Sequence, residues 1–253
     1  MYISNKLRHI LGSILLTTLI CLAVTGCSDK KDDVVEIKSK VLVFSKTTEF
    51  RHASIPAGIS AIQTLGVQNN FDVDTTTNAQ MFTASNLKNY AAVIFLSTTG
   101  NVLNNDQQGA FESYIKAGGG FVGIHSATDT EYDWPWYGKL VGAYFKNHPE
   151  LQDATLEVKD GDHISTRHLP ERWERFDEWH NFTWNATDLN VLLTIDESTY
   201  TGGDHGADHP MAWYHSYDGG RAIYTSLGHT NESFQEPLFQ QHLLGAIKYA
   251  MGE

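Results

Sequence analysis

The segment Gly118-Gly119-Gly120-Phe121-Val122-Gly123-Ile124-His125-Ser126 constrains the fold more tightly than any other part of the chain. A short run with no polar position, bounded by glycines, suits a strand buried on both faces, as in a parallel sheet covered by helices. Ligands of such sheets bind in the crevice beyond the carboxyl ends of the strands. His125 therefore stands where chemistry is done, on a side chain that titrates near neutrality or ligates a metal. A histidine that merely caps the strand by bonding a carbonyl satisfies the same position, and position alone does not choose between the two.

The flanking pattern agrees with that architecture. Lys40–Ser45 and Ala91–Leu96 read as further apolar strands, and Phe71–Asp74 as a third. Residues 53–68 carry Ile55, Ile59, Ile62 and Leu65 at helical spacing, and 104–117 carry Ala110, Phe111, Tyr114 and Ile115. Apolar strands alternating with helices predict βαβ units in an α/β, doubly wound, mostly parallel sheet. Residues 129–150, rich in Trp, Tyr, His and Gly, suit an elaborated loop with short helices over the carboxyl edge. Ala154–Val158 and Val191–Ile195 read as strands, Met211–Tyr214 and Arg221–Ser226 as a hairpin through Asp218-Gly219-Gly220. Phe234–Ala250 reads as a closing helix that buries Leu238, Leu243, Ile247 and Met251.

The amino terminus reads as an address. Lys6 and Arg8 precede an apolar core, Ile10–Val24, of signal-peptide length. Val24-Thr25-Gly26-Cys27 resembles a bacterial lipobox, in which the cysteine is acylated and becomes the mature terminus. Residues 1–26 are thus a lipoprotein signal, 27–39 a lipidated tether, and 40–253 the folded domain. Cleavage removes two cations and no acid, leaving 16 Lys+Arg against 30 Asp+Glu. That balance argues against nucleic acid or an anionic bilayer surface as partner, so the membrane contact is the lipid on Cys27 alone. Cys21 leaves with the signal and Cys27 carries the acyl chains, so neither a disulfide nor a catalytic thiolate is available. The domain must rely on its core, for which its length suffices. The address places it in the bacterial cell envelope at the outer membrane, facing the periplasm or the exterior.

Histidine usage is the second clue. His52 follows the first strand, His125 ends the fourth and His229 follows the last; His148, His180 and His209 fall in loops. In a doubly wound sheet the loops after the first and fourth strands share one edge, which brings His52 and His125 together. Imidazoles with Asp129 or Glu178 suit a divalent metal such as zinc, and equally a metal-free acid–base pair. No H-E-x-x-H is present, and Asp204–His209 suits a polar lid. The metal candidates are His52, His125 and His229. Trp134 and Trp213, among several aromatics near these histidines, suit stacking on sugar rings, although core packing would use the same residues. No G-x-S-x-G elbow, G-x-G-x-x-G fingerprint or P-loop occurs, and Gly118–Gly120 precedes a strand rather than a helix, which excludes a phosphate cradle.

Several segments, in order, carry a family resemblance. They are Val41–Phe44 with Phe50-Arg51-His52, then Gly119–His125, Asn147-His148-Pro149, and Asp162-His163 to Leu169-Pro170 with Asp177-Glu178. His209-Pro210-Met211-Ala212-Trp213 and Gly220–His229 complete the set. From about Lys40 to Met251 the chain resembles the ThuA-like (trehalose utilisation) proteins. The resemblance implies a flavodoxin-like, class I glutamine amidotransferase-like fold. In the amidotransferases the corresponding strand-to-helix elbow bears a catalytic cysteine; with no thiol to spare, this chain is not expected to hydrolyse glutamine.

The resemblance further implies sugar metabolism, with a keto-sugar or related glycoside as substrate. The expected protein is a carbohydrate-active lipoprotein acting on a glycoside or 3-keto-glycoside by isomerisation or hydrolysis, with or without a metal. A non-catalytic glycan-binding lipoprotein is the alternative. Expected catalytic residues are His125, His52 and Glu178; expected substrate contacts are Arg51, Asp129, Trp134, His148, His180, His209 and Trp213. The sugar, the reaction, the metal and the oligomeric state stay open.

Overall fold

The computed structural model describes residues 38–253. The signal segment, the lipobox and all but the end of the tether lie outside the described residues. The chain runs β1 (Lys40–Phe44), α1 (Ile55–Gln68), β2 (Asp72–Thr76), α2 (Ala84–Leu87), β3 (Ala92–Leu96), α3 (Asn105–Lys116) and β4 (Gly120–Ile124). It continues through α4 (Pro135–Val141), β5 (Ala143–Asn147), β6 (Gln152–Val158), β7 (Arg172–Asp177), β8 (Asn181–Trp184) and β9 (Asn190–Ile195). β10 (Pro210–Tyr217), β11 (Gly220–Thr225) and α5 (Pro237–Met251) close it.

Nine strands form the main sheet in the order β2-β1-β3-β4-β11-β10-β9-β6-β7. The first five are parallel neighbours, so the doubly wound sheet expected from the apolar runs is present. β1, β3 and β4 hold that half because nearly every residue in them is buried. Successive strand residues point to opposite faces. Leu96 packs towards Gly58 of α1, whereas its neighbour Phe95 enters an aromatic cluster with Phe111 of α3, Phe121 and Tyr137 of α4. Helices thus cover both faces. α3 opens on a reciprocal cap: the Asn104 side chain accepts from the Gln107 backbone, and Gln107 accepts from the Asn104 backbone. Leu243 and Ile247 of α5 are buried as expected, while Leu238 and Met251 are only partly so.

From β11 the sheet turns antiparallel. β11 and β10 form the expected hairpin, with Asp218 and Gly219 both at positive φ (48° and 94°), the turn whose twist matches paired strands. β9, β6 and β7 extend it, each antiparallel to its neighbour. β7 has no counterpart in the sequence reading, nor does the separate pair β5–β8. In β7 burial alternates, but the inward positions are Trp173, Arg175 and Asp177. Two of the three are charged, which erases the apolar alternation that announces a strand.

Candidate metal centre and cavity

Four side chains converge at the carboxyl ends of the parallel strands: His52 after β1, His125 after β4, His229 after β11 and Glu178 directly after β7. One donor atom from each lies within 4.8 Å of the others. β7 is the outermost strand, so its end reaches this point only because the antiparallel half bends back over the site. Asp177, wholly buried, fixes that closure. Its Oδ1 accepts from the backbone N–H groups of Glu178 and His229, each at 3.0 Å. Its Oδ2 accepts from Gly228 N–H at 3.0 Å, Ser233 Oγ at 3.0 Å and Arg175 Nη2 at 2.9 Å. One carboxylate therefore ties the Glu178 segment to the His229 loop. Gly228 itself sits at φ 112°, which a side chain would strain, and a Cβ there would meet Phe234 Cζ at 3.0 Å.

His125 occupies a sharp elbow. Its φ is 53°, uncommon for a residue with a side chain, and it starts a single 3₁₀ turn, His125–Thr128. Strain of this kind persists where the surroundings over-determine it and clusters at functional sites. Here the carbonyl of His125 accepts from Tyr224 Oη at 2.8 Å, and its Nδ1 donates to the Ser226 carbonyl at 2.8 Å. A carbonyl can only accept, so Nδ1 carries the proton and Nε2 presents its lone pair. Both His52 Nε2 and His229 Nδ1 lie 3.1 Å from that Nε2. Glu178 adds Oε2 at 3.2 Å from His229 Nδ1 and Oε1 at 3.5 Å from His125 Nε2.

These separations suit a cation. Tetrahedral zinc with Zn–N near 2.05 Å implies donor–donor edges of about 3.3 Å. The two imidazole–imidazole separations, both 3.1 Å, and the 3.2 and 3.5 Å approaches of the two Glu178 oxygens lie near that value, while the full set of four donors spans up to 4.8 Å. The charge environment agrees. Burial, reinforced by the nearby His229, lowers the His52 pKa to about 4, and burial drives that of His125 well below its ordinary value. Burial alone would raise Glu178, but hydrogen bonds from His180 and His229 and the positive charge available on its imidazole neighbours prevail and hold it anionic. His229 is opposed by burial yet raised by its bond to Glu178. His52 and His125 are thus held neutral beside an anionic Glu178, the state of those three donors that a divalent metal requires, while His229 would give up its proton as a metal binds. The Nδ1–Ser226 bond orients His125, and Ser126 Oγ, 3.3 Å from His52 Nδ1, does the same for His52.

Above this cluster opens a cavity of about 360 Å³, lined by Phe50, His52, Ser126, Asp129, Phe145, His148, Glu178, His180 and His229. Its size falls in the range of small-molecule sites, about 300–1,000 Å³. Asp129, His148 and His180 thus stand where substrate contacts were expected. Burial raises the Asp129 carboxyl, and Tyr132 Oη donates to it at 2.7 Å. His180 Nε2 lies 2.9 Å from Glu178 Oε1 and His148 Nδ1 3.3 Å from Oε2.

Four expected contacts lie elsewhere. Trp134 packs on Trp136 and Tyr137 and donates to Glu112; Trp213 is fully buried and donates to the Val141 carbonyl. Both serve the core, and the rings lining the cavity are instead Phe50 and Phe145. Arg51 donates to the Ser45 carbonyl, and His209 is buried against Glu197 and the His180 carbonyl, so it supports a wall rather than forming one. His125, fully buried, lies beneath the cavity and does not line it. Its Nε2 can serve as a metal ligand, while its side chain offers no surface to the cavity. Sequence reasoning assigns no site role to Asp177, Phe50 or Phe145. The one available signal was adjacency: each stands within two residues of a chosen His or Glu, except Phe145, three before His148.

Comparison with known proteins agrees with this architecture. A ThuA-like protein of Bacteroides uniformis ATCC 8492 superposes with a TM-score of 0.71 at 26% identity, over 84% of this chain and 91% of that one. A ThuA-like protein of Parabacteroides merdae ATCC 43184 does so at 0.71 and 20% identity, over 85% and 90%. A β-galactosidase of Bacillus circulans sp. alkalophilus shares the fold at a TM-score of 0.56 and 16% identity, over 85% of this chain but 31% of its own. No curated protein matches the sequence. The profile of the family described as ThuA, trehalose utilisation, matches residues 40–250. With that profile spanning nearly all of the described residues, the chain belongs to the ThuA family.

Proposed function

We propose that the protein is a carbohydrate-active member of its family, lipid-anchored through Cys27 in the bacterial cell envelope, that processes a glycoside or 3-keto-glycoside by metal-assisted acid–base chemistry. The observation that carries this reading is the set of three imidazoles and one carboxylate whose donor atoms lie within 4.8 Å of one another, beside a cavity with a separate carboxylate, Asp129. A divalent ion such as zinc, held by His52, His125, His229 and Glu178, would supply Lewis acidity towards a substrate oxygen. Committing Glu178 and His52 to that role leaves Asp129 as the base. Its raised pKa brings it closer to neutrality, where proton transfer is most effective. A ketone acidifies the neighbouring C–H, so Asp129 can remove that proton and deliver it to the leaving oxygen as the glycosidic C–O bond breaks, giving an unsaturated ketone to which water adds to complete the hydrolysis. His148 Nδ1 is 2.8 Å from the Pro149 carbonyl and donates to it, so Nε2 accepts from a sugar hydroxyl. Phe145 and the exposed Phe50 offer apolar faces to a sugar ring.

The test is turnover of methyl 3-keto-α-glucoside by the zinc-reconstituted mature protein, followed by proton NMR, with Asp129→Asn alongside. Turnover lost in the variant with sugar affinity retained supports catalysis. Sugar affinity without turnover in either protein identifies a glycan-binding lipoprotein, a reading that Phe50, 64% exposed at the cavity, also suits. Neither affinity nor turnover contradicts the carbohydrate assignment.

A further inference from the structure

We infer that a second, amide-lined cleft on the same edge of the sheet is a subsite for the distal units of an extended neutral glycan, an inference that rests on the carbohydrate reading of the main cavity. The cleft lies beyond the carboxyl ends of β1, β2 and β3, with a volume of about 470 Å³. That is the switch point of a 2-1-3-4 sheet, where ligands of doubly wound folds sit. Its side-chain lining is mainly uncharged amide: Asn78, Gln80, Asn101, Asn104 and Gln107. The one cation, Lys46, is spent on the Val102 carbonyl at 2.7 Å.

Three of these amides are fixed in orientation. Asn78 Oδ1 accepts from Gln80 N–H at 3.0 Å, Asn104 Oδ1 from Gln107 N–H at 3.0 Å, and Gln107 Oε1 from Asn104 N–H at 2.9 Å. A backbone N–H demands an oxygen, so each side chain's NH₂ is the end turned away from the backbone. The caps that start the helices thereby pre-organise an array of neutral donors, which suits hydroxyl oxygens, and the one charge in the lining, Lys46, is directed to a backbone carbonyl. A neighbouring cleft of about 440 Å³ shares Gln80, Asn104 and Gln107 and continues past Phe82 and Ala110, so the surface is a groove longer than one sugar.

The groove and the main cavity are separated by a thin ridge. Residues 46–52 line the cleft at Lys46 and the cavity at Phe50 and His52. This segment is fastened to residues 99–101 by Thr48 N–H to the Thr99 carbonyl at 3.0 Å and Thr99 Oγ1 to the Phe50 carbonyl at 2.8 Å. On the far side of the ridge Gly100 N–H bonds the Asp129 carbonyl at 2.8 Å. Asn101 in the cleft and Asp129 in the cavity are thus one residue and one hydrogen bond apart, on the order of 10 Å. A linear chain can lie across Phe50 with one end at Asp129 and the other among the amides.

Asn78→Asp, Asn104→Asp and Gln107→Glu test this, singly and together, because each keeps the capping oxygen and deletes the donor. The probe is an array of neutral glycans from mono- to hexasaccharides, with affinities of the binders measured by calorimetry on the mature protein. The expected result is an affinity at least tenfold higher for longer members than for the matching monosaccharide, a gain lost in the triple variant while monosaccharide affinity and melting temperature stay unchanged. Length-independent binding, or a gain that survives the triple variant, overturns the subsite and leaves the carbohydrate reading standing. No binding to any member contradicts both.

Discussion

The two halves of the sheet contribute to the site by different physical routes. The parallel half delivers His52, His125 and His229 by topology alone: each follows a parallel strand, and all parallel strands end at the same edge. The antiparallel half delivers Glu178 and His180 from its outermost strand and reaches the site only because Asp177 anchors it to the loop after β11. One half is held by apolar strands, the other by a buried charge with five donors. The site is therefore built on the first and closed by the second, and the two should fail in different ways.

Trp213→Ala, inside the core of the antiparallel half, should cost about 3–5 kcal/mol of stability, read from urea unfolding. Its fully buried indole touches no cavity atom, so the folded remainder should retain metal. Asp177→Ala should cost about 3–5 kcal/mol as well, since it removes the nearer of the two carboxylates beside buried Arg175, leaving Glu236 at 3.4 Å, and the acceptor of four further donors. This variant should also lose metal affinity, because Glu178 and His229 are released together. A variant destabilised as much as Trp213→Ala but still binding metal normally would show that Asp177 does not couple the halves.

The pH profile gives a smaller and separate effect. His242 of α5 is fully buried, donates from Nδ1 to the Ser165 carbonyl at 2.8 Å, and leaves Nε2 without a partner among the described residues. Burial lowers its pKa to about 3, against 6.5 when unfolded. The unfolded chain thus takes up the proton first. Its stabilising contribution is complete above pH 6.5 and is lost progressively as pH falls towards 3. At pH 5 the loss is about 2 kcal/mol. His242→Gln should flatten the stability curve across that window, and an unchanged slope would count against the assignment. Smallest of all, Phe50→Ala should alter stability by no more than about 0.5 kcal/mol, being a surface change, while weakening sugar affinity. Equal affinity in the variant would remove Phe50 from the binding surface.

The same contrast explains what could be read from the sequence. Val41–Phe44, Ala92–Leu96 and Phe121–Ile124 announced the parallel half because strands buried on both faces have no polar position to disguise them. His52 and His125 followed from strand order. β7 stayed hidden because Arg175 and Asp177 occupy inward positions that a strand pattern reserves for apolar residues. Its end was therefore not foreseen as the site's closing wall, although Glu178 itself was chosen. Trp134 and Trp213 were indistinguishable in sequence from cavity aromatics, because an indole supplies a large apolar face and one N–H donor in either setting. Only the carbonyl or carboxylate that each N–H meets separates the two.

The measurement that tests the central claim most directly is metal content by elemental mass spectrometry after zinc loading and dialysis, on the mature protein, His125→Ala and Glu178→Gln. The account predicts about one equivalent in the wild type and none retained in His125→Ala. Glu178→Gln, which keeps the shape and removes the charge, should bind at least 10- to 100-fold more weakly. No retained zinc in the wild type, or equal retention in all three proteins, would contradict a metal centre built from His52, His125, His229 and Glu178.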